Sequence, residues 1–113
     1  PYGQARFEGI VADPVTNSGL DSLVEMLHAE GRSFFDEPMA AHSLDALISV
    51  NNYHAAYAAV AYYPGLTVPM GYSAKGEPAG LTFYVPSHEE ERLLGLAAAY
   101  EAASKQRQAP LLR

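Results

Sequence analysis

The stretch AAYAAVAYYPGLTVPMGY, from Ala55 to Tyr72, constrains the fold more than any other part of this sequence. Five of the seven residues from Ala55 to Ala61 are alanine, the residue with the best intrinsic helix propensity. The spacing predicts a helix over Tyr53–Tyr62 whose small side chains let its backbone lie close to a sheet. Pro64-Gly65 breaks that helix, and Leu66–Tyr72 then reads as a strand. Almost nothing in the segment is polar. It must be packed against something, which a 113-residue chain has to supply or to borrow.

The flanking sequence fixes an order of elements. The first eighteen residues carry Gly3, Gly9, Pro14 and Asn17 with little periodicity and read as an irregular lead-in. Leu20, Leu23, Val24 and Leu27 follow at i, i+3, i+4 and i+7, the pattern of an amphipathic helix, with Asn17 or Ser18 as its cap. Gly31 is a candidate helix end and Pro38 a candidate kink, so one bent helix and two short ones both fit residues 19–43. Leu44–Val50 is short and nearly all apolar, which predicts a strand buried on both faces. Leu66–Tyr72 and Gly80–Pro86, separated by the turn-rich SAKGEPA, predict an antiparallel hairpin in which Pro69 marks an edge or a bulge. Ser87 and Glu90 have capping-box spacing ahead of a helix expected over about His88 to Arg107, with Pro110 beyond it. The fold class is therefore α/β, in the order helix-strand-helix-strand-strand-helix. A strand covered on both faces needs more sheet than three strands build, so residues 19–113 read as part of a larger mixed sheet.

Composition excludes several functions. The net charge is −6, and no Lys/Arg run offsets it locally, so a phosphate backbone would be repelled and nucleic-acid binding is not expected. Cysteine is absent, which removes disulfides and thiolate ligands and suits a cytoplasmic setting. No apolar run approaches the ~20 residues that span a bilayer. The four histidines, His28, His42, His54 and His88, lack metal-ligand spacing, so neither metal nor cofactor is expected.

From Leu44 to Pro110, about sixty per cent of the chain, an ordered series of residues resembles the C-terminal part of amidase signature family enzymes. The series is Pro64, Thr67-Val68-Pro69, Gly71, Pro78, Gly80-Leu81, Phe83, Glu90, Leu93-Leu94, Ala97, Glu101, Ala103, Arg107 and Pro110. Two departures stand out: Tyr62 where the family has a glycine, and Tyr84-Val85-Pro86 where it has a small residue and glycine. The resemblance implies hydrolysis of carboxamide C–N bonds of a small-molecule amide, through a serine activated by a second serine in a cis peptide and a lysine. Those groups lie upstream of the matching region. Here the only lysines are Lys75, in a turn, and Lys105, at a helix end. Both positions predict exposure, whereas a lysine base needs burial to stay neutral. No catalytic residue is assigned within this chain, and on its own it is not expected to be competent.

One stretch is a candidate for substrate contact. Asn51, Asn52 and Tyr53 follow the end of a strand, where open α/β sheets gather binding groups; a polar turn that merely caps the next helix is the competing reading. The expected partner is the rest of an amidase chain, or a second copy, through the sheet edge. The alternative is a stand-alone α/β interaction module that kept this layer and lost the chemistry.

Overall fold

The computed structural model describes residues 3–109. Its elements are α1 (Ala5–Ala12), α2 (Asn17–His42), β1 (Leu47–Val50), α3 (Ala55–Ala61), β2 (Gly65–Tyr72), β3 (Pro78–Tyr84) and α4 (Glu90–Ser104). The expected order holds, with one helix added. That addition corrects the irregular lead-in: residues 5–12 are helical although Gly9 interrupts them, and none of their side chains is buried. Pro110, expected to follow the last helix, lies outside the described residues.

The three strands form one antiparallel sheet in the order β1-β3-β2. Among the described residues only β3 is paired on both edges, and each of its faces carries a core. Leu81 and Phe83 join Val68 of β2 and Val85 under Leu93 and Ala97 of α4. On the other face Tyr84 packs with Phe35 and Met39 of α2 and with Ala58 and Ala61 of α3. The hairpin is as expected, and Pro69 does what its missing donor requires. It sits on an edge strand, and the register slips between Pro69 and Gly71.

The first strand departs from expectation. β1 is only four residues long and pairs with β3 alone. Ser49 is buried, but Ile48 and Val50 point to the opposite face and are 62% and 46% exposed. The reason is the reach of α4, which lies over β2 and β3 and stops short of β1. The radius of gyration is 18.3 Å, against about 13 Å for a compact domain of this length.

The region 19–43 is one helix rather than two. Thr16, not Asn17 or Ser18, caps it by accepting the Gly19 N–H at 3.2 Å. Pro38 lies inside the helix, near enough to its end that one carbonyl, that of Phe34, loses its helical partner. Gly31 does not terminate the helix. It is buried where α2 crosses α3, and a Cβ there would stand 3.0 Å from the Ala61 nitrogen and 3.0 Å from a Val60 methyl. The alanines of α3 are thus matched by a glycine opposite.

The end of α3 explains the Tyr62 departure. Tyr62 is the C-cap, at φ 59 and ψ 34, a left-handed conformation that favours glycine because a Cβ crowds the following carbonyl. Paired bonds, Tyr62 N–H to Ala59 O at 3.2 Å and Tyr63 N–H to Ala58 O at 2.9 Å, close the helix. Ser87 donates to the Tyr62 carbonyl at 2.6 Å. This corrects the capping-box reading: the hydroxyl holds the neighbouring turn instead of α4, which starts at Glu90 without a side-chain cap and ends at Ser104 rather than Arg107.

Two outcomes follow from the α2–α3 contact. Tyr62→Gly relieves the left-handed strain and should raise stability by about 1 kcal/mol, whereas Gly31→Val overpacks the crossing and should lower it by about 1–3 kcal/mol; urea unfolding of both variants checks the opposite signs. Tyr63 donates its hydroxyl to Asp36 of α2. Burial, then that carboxylate, pushes its pKa up from 10 to about 12. The neutral phenol is the form the fold favours, so its contribution is complete below pH 10 and is lost as pH rises toward 12. Stability measured from pH 9 to 12 should fall less steeply in Tyr63→Phe than in the parent.

Candidate functional site

The C-terminal ends of β1 and β2 lie at the same end of the sheet, since both strands run antiparallel to β3. Between them the chain leaves β1 at Asn51, which takes φ 52, a conformation asparagine tolerates better than most residues. Three polar bonds fix that corner. The Asn51 N–H donates to the Gly80 carbonyl at 2.7 Å, and its side-chain Oδ1 accepts from the Gly80 N–H at 2.8 Å. Its carbonyl accepts from the Thr82 hydroxyl. Asn51 therefore imitates one more rung of the β1–β3 ladder with its own side chain.

Thr82 extends the network. Its hydroxyl proton is committed to Asn51, so the Thr67 hydroxyl, 2.7 Å away, donates to Thr82 Oγ1. Thr67 and Thr82 are register partners across β2 and β3. Gly80 makes room for this arrangement, because a Cβ there would meet the Thr67 methyl at 2.5 Å. All three strands are thereby tied at one corner, through a buried Thr82, a half-buried Asn51 and an exposed Thr67.

Beside the corner is an open hollow of about 450 Å³. Asn51 and Asn52 line one side, and Thr67, Pro69, Gly71 and Gly80 line the other. Of the three residues expected to meet a ligand, the fold brings Asn51 and Asn52 to this hollow. Tyr53 is 74% exposed and is not among the lining residues. The competing role is also present: the Asn52 carbonyl accepts the Ala55 N–H at 3.0 Å in the turn that opens α3. Thr67, Thr82 and Gly80 were not singled out as candidate site residues by sequence. Their signal was the matching threonines in LTV and GLT, legible only once the strand register is known.

Other reactive side chains are dispersed. Lys75 and Lys105 are exposed, as expected, and neither ammonium hydrogen-bonds a serine hydroxyl among the described residues. Ser49 Oγ lies 2.8 Å from His54 Nδ1, but among the described residues no carboxylate hydrogen-bonds to that imidazole. His28 bonds the Val60 carbonyl and packs against Tyr62 with ring centroids 3.9 Å apart and the rings tilted by 37°. Among the described residues no cluster of His, Asp and Glu is arranged to hold a metal ion, and no helix is long and apolar enough to cross a membrane.

No protein-family model matches the chain. Individual proteins do. The chain is 30% identical over 79 residues to a probable amidase of Arabidopsis thaliana, an alignment that covers 70% of this chain and 15% of that protein. The crystal structure of an amidase family protein from Bacillus anthracis superposes with a TM-score of 0.88 at 33% identity, over 98% of this chain and 22% of that one. The native peptide amidase from Stenotrophomonas maltophilia superposes with a TM-score of 0.64 at 34% identity, over 74% of this chain and 20% of that one. The chain thus spans about a fifth or less of each of these three proteins.

The corner yields a direct test. Asn51→Ala removes the acceptor for the Gly80 N–H and leaves a non-glycine residue in the left-handed region, which should cost about 1–3 kcal/mol. Asn51→Asp keeps an oxygen in place and should lose clearly less. Equal losses in thermal unfolding of the two variants would show that the side-chain rung does not hold the corner.

Proposed function

We propose that this chain, which shares sequence and fold with a segment of amidase family proteins, is the C-terminal portion of an enzyme that hydrolyses carboxamide C–N bonds. The observation that carries the reading is the close superposition, at 33% identity, along nearly the whole chain on one part of a much longer amidase family protein. In the complete enzyme the segment supplies β1, its covering helices and the β2–β3 hairpin to a larger mixed sheet. The unpaired edge of β1 and its exposed Ile48 and Val50 are where the rest of that body, or a second copy, joins.

The chemistry belongs to the part that this chain does not contain. Acyl transfer from an amide needs a nucleophilic hydroxyl, a neutral base to take its proton, and backbone donors for the oxyanion. A serine, a second serine in a cis peptide and a lysine fill the first two roles in this reading. Lys75 and Lys105 are exposed, and the chain alone is inactive. Its contribution is positional. The hollow beside Asn51 and Asn52 forms one wall of the acyl pocket, held rigid by the threonine pair. A small-molecule amide substrate, absence of a cofactor and a cytoplasmic setting accompany this reading.

A chimera tests it. The matching segment of the Stenotrophomonas maltophilia peptide amidase is replaced by this chain, and ammonia release from a peptide amide is measured. The chimera should hydrolyse the amide, the host lacking the segment should not, and the 113-residue chain alone should release none. Ammonia release by the chain alone, or a folded chimera no better than the truncated host, would overturn the proposal.

A further inference from the structure

The Asn51 corner spends almost all of its polar groups on itself, and the few left over are specific. Both the N–H and the carbonyl of Asn51 bond to β3, and its Oδ1 accepts from the Gly80 N–H at 2.8 Å. That bond fixes which way the side-chain amide is turned, because only its oxygen accepts from an N–H. Nδ2 is left with two N–H donors, open to solvent and without a partner among the described residues. On the other flank, Thr67 has given its proton to Thr82 Oγ1. Toward anything else, the Thr67 oxygen is an acceptor.

Asn51 and Thr67 line the same hollow. They come from opposite sides of β3, one just past β1 and the other on β2, with Gly80 between them. A Cβ at Gly80 would stand 2.5 Å from the Thr67 methyl and 3.9 Å from Asn51 Oδ1, so the missing side chain keeps the gap open. Among the described residues that line the hollow none is charged, and Val68, Pro69, Pro78 and Ala79 give it apolar cover. A charged group would lose hydration there without gaining a counter-ion. The hollow therefore suits an uncharged group that accepts on one edge and donates on the other. A hydroxyl offers both from a single atom, whereas a trans amide points its C=O and N–H to opposite sides.

We propose that this hollow reads a second, uncharged amide in the acyl part of the substrate, beside the one that is cleaved; the inference rests on the hollow being one wall of the acyl pocket. Asn51 Nδ2 donates to the carbonyl of that second amide, and Thr67 Oγ1 accepts from its N–H. Asn51 and Thr67 are specificity residues here, since neither touches the bond that breaks. Their cost in rigidity is already met by the fold: Gly80 and Thr82 hold both groups in place before any substrate arrives. A site built to hydrogen-bond an amide discriminates against an analogue that lacks one, because its own polar groups are then left unpaired.

The test uses the chimera with the Stenotrophomonas maltophilia host and two substrates. One is an N-acetylamino acid amide, and in the other a CH2–CH2 unit replaces its second amide. Ammonia release should show a KM about tenfold lower for the acetylated substrate. Asn51→Asp keeps an oxygen for the Gly80 N–H but, as a carboxylate, presents no donor. It should raise the KM of the acetylated substrate about tenfold and move that of the analogue far less, with kcat on both nearly kept. Thr67→Val, checked for folding by thermal unfolding, should narrow the same preference by removing the acceptor. In an active chimera, equal KM values for the two substrates, equal losses on both, or no change with either variant would overturn the proposal and leave the amidase reading standing. A folded chimera that hydrolyses neither substrate would overturn that reading, and the proposal with it.

Discussion

The structure depends on β3 being sandwiched. It is the one strand with neighbours on both edges, and the two cores are built on its opposite faces. Leu81 and Phe83 commit one face to α4, while Tyr84 commits the other to α2 and α3. Every remaining element is placed by its relation to this strand. The hairpin turn sets β2, the Asn51 corner sets β1, and the close crossing at Gly31 brings α2 over α3. Burial around a single central strand gives three layers of structure but closes none of them. Ile48, Val50 and the outer stripe of α2 are left in water.

Much of this was legible in the residues, because local rules and packing agreed. The alanine run, the Pro64-Gly65 break and the paired strand patterns each have one economical reading, and the structure follows it. Where sequence reading failed, a distant contact had outvoted a local one. Ser87 has the spacing of a helix cap, yet its hydroxyl goes to the Tyr62 carbonyl, whose left-handed turn needs it more. Gly31 looks like a terminator when α3 is not in view, and like a contact point when it is. The α1 helix has no cap and no buried face to announce it.

β1 is the instructive case. Its apolar run suggested cover on both faces, and this chain provides cover on one. The hydrophobic pattern therefore records an environment wider than the chain itself supplies. The candidate site shows the same division. Asn51 and Asn52 could be located from their place after a strand, but Thr67, Thr82 and Gly80, which make that corner rigid, became visible only through strand register. A fixed corner beside a hollow suits a pocket wall, whereas chemistry needs groups that these residues do not bring together.

That the chain belongs inside a larger body is the central claim, and the behaviour of the isolated chain tests it most directly. Sedimentation velocity, run with and without an apolar-sensing dye, reads both self-association and uncovered hydrophobic surface. The account predicts a concentration-dependent increase in mass or strong dye binding. A clean, compact monomer that binds no dye would contradict it.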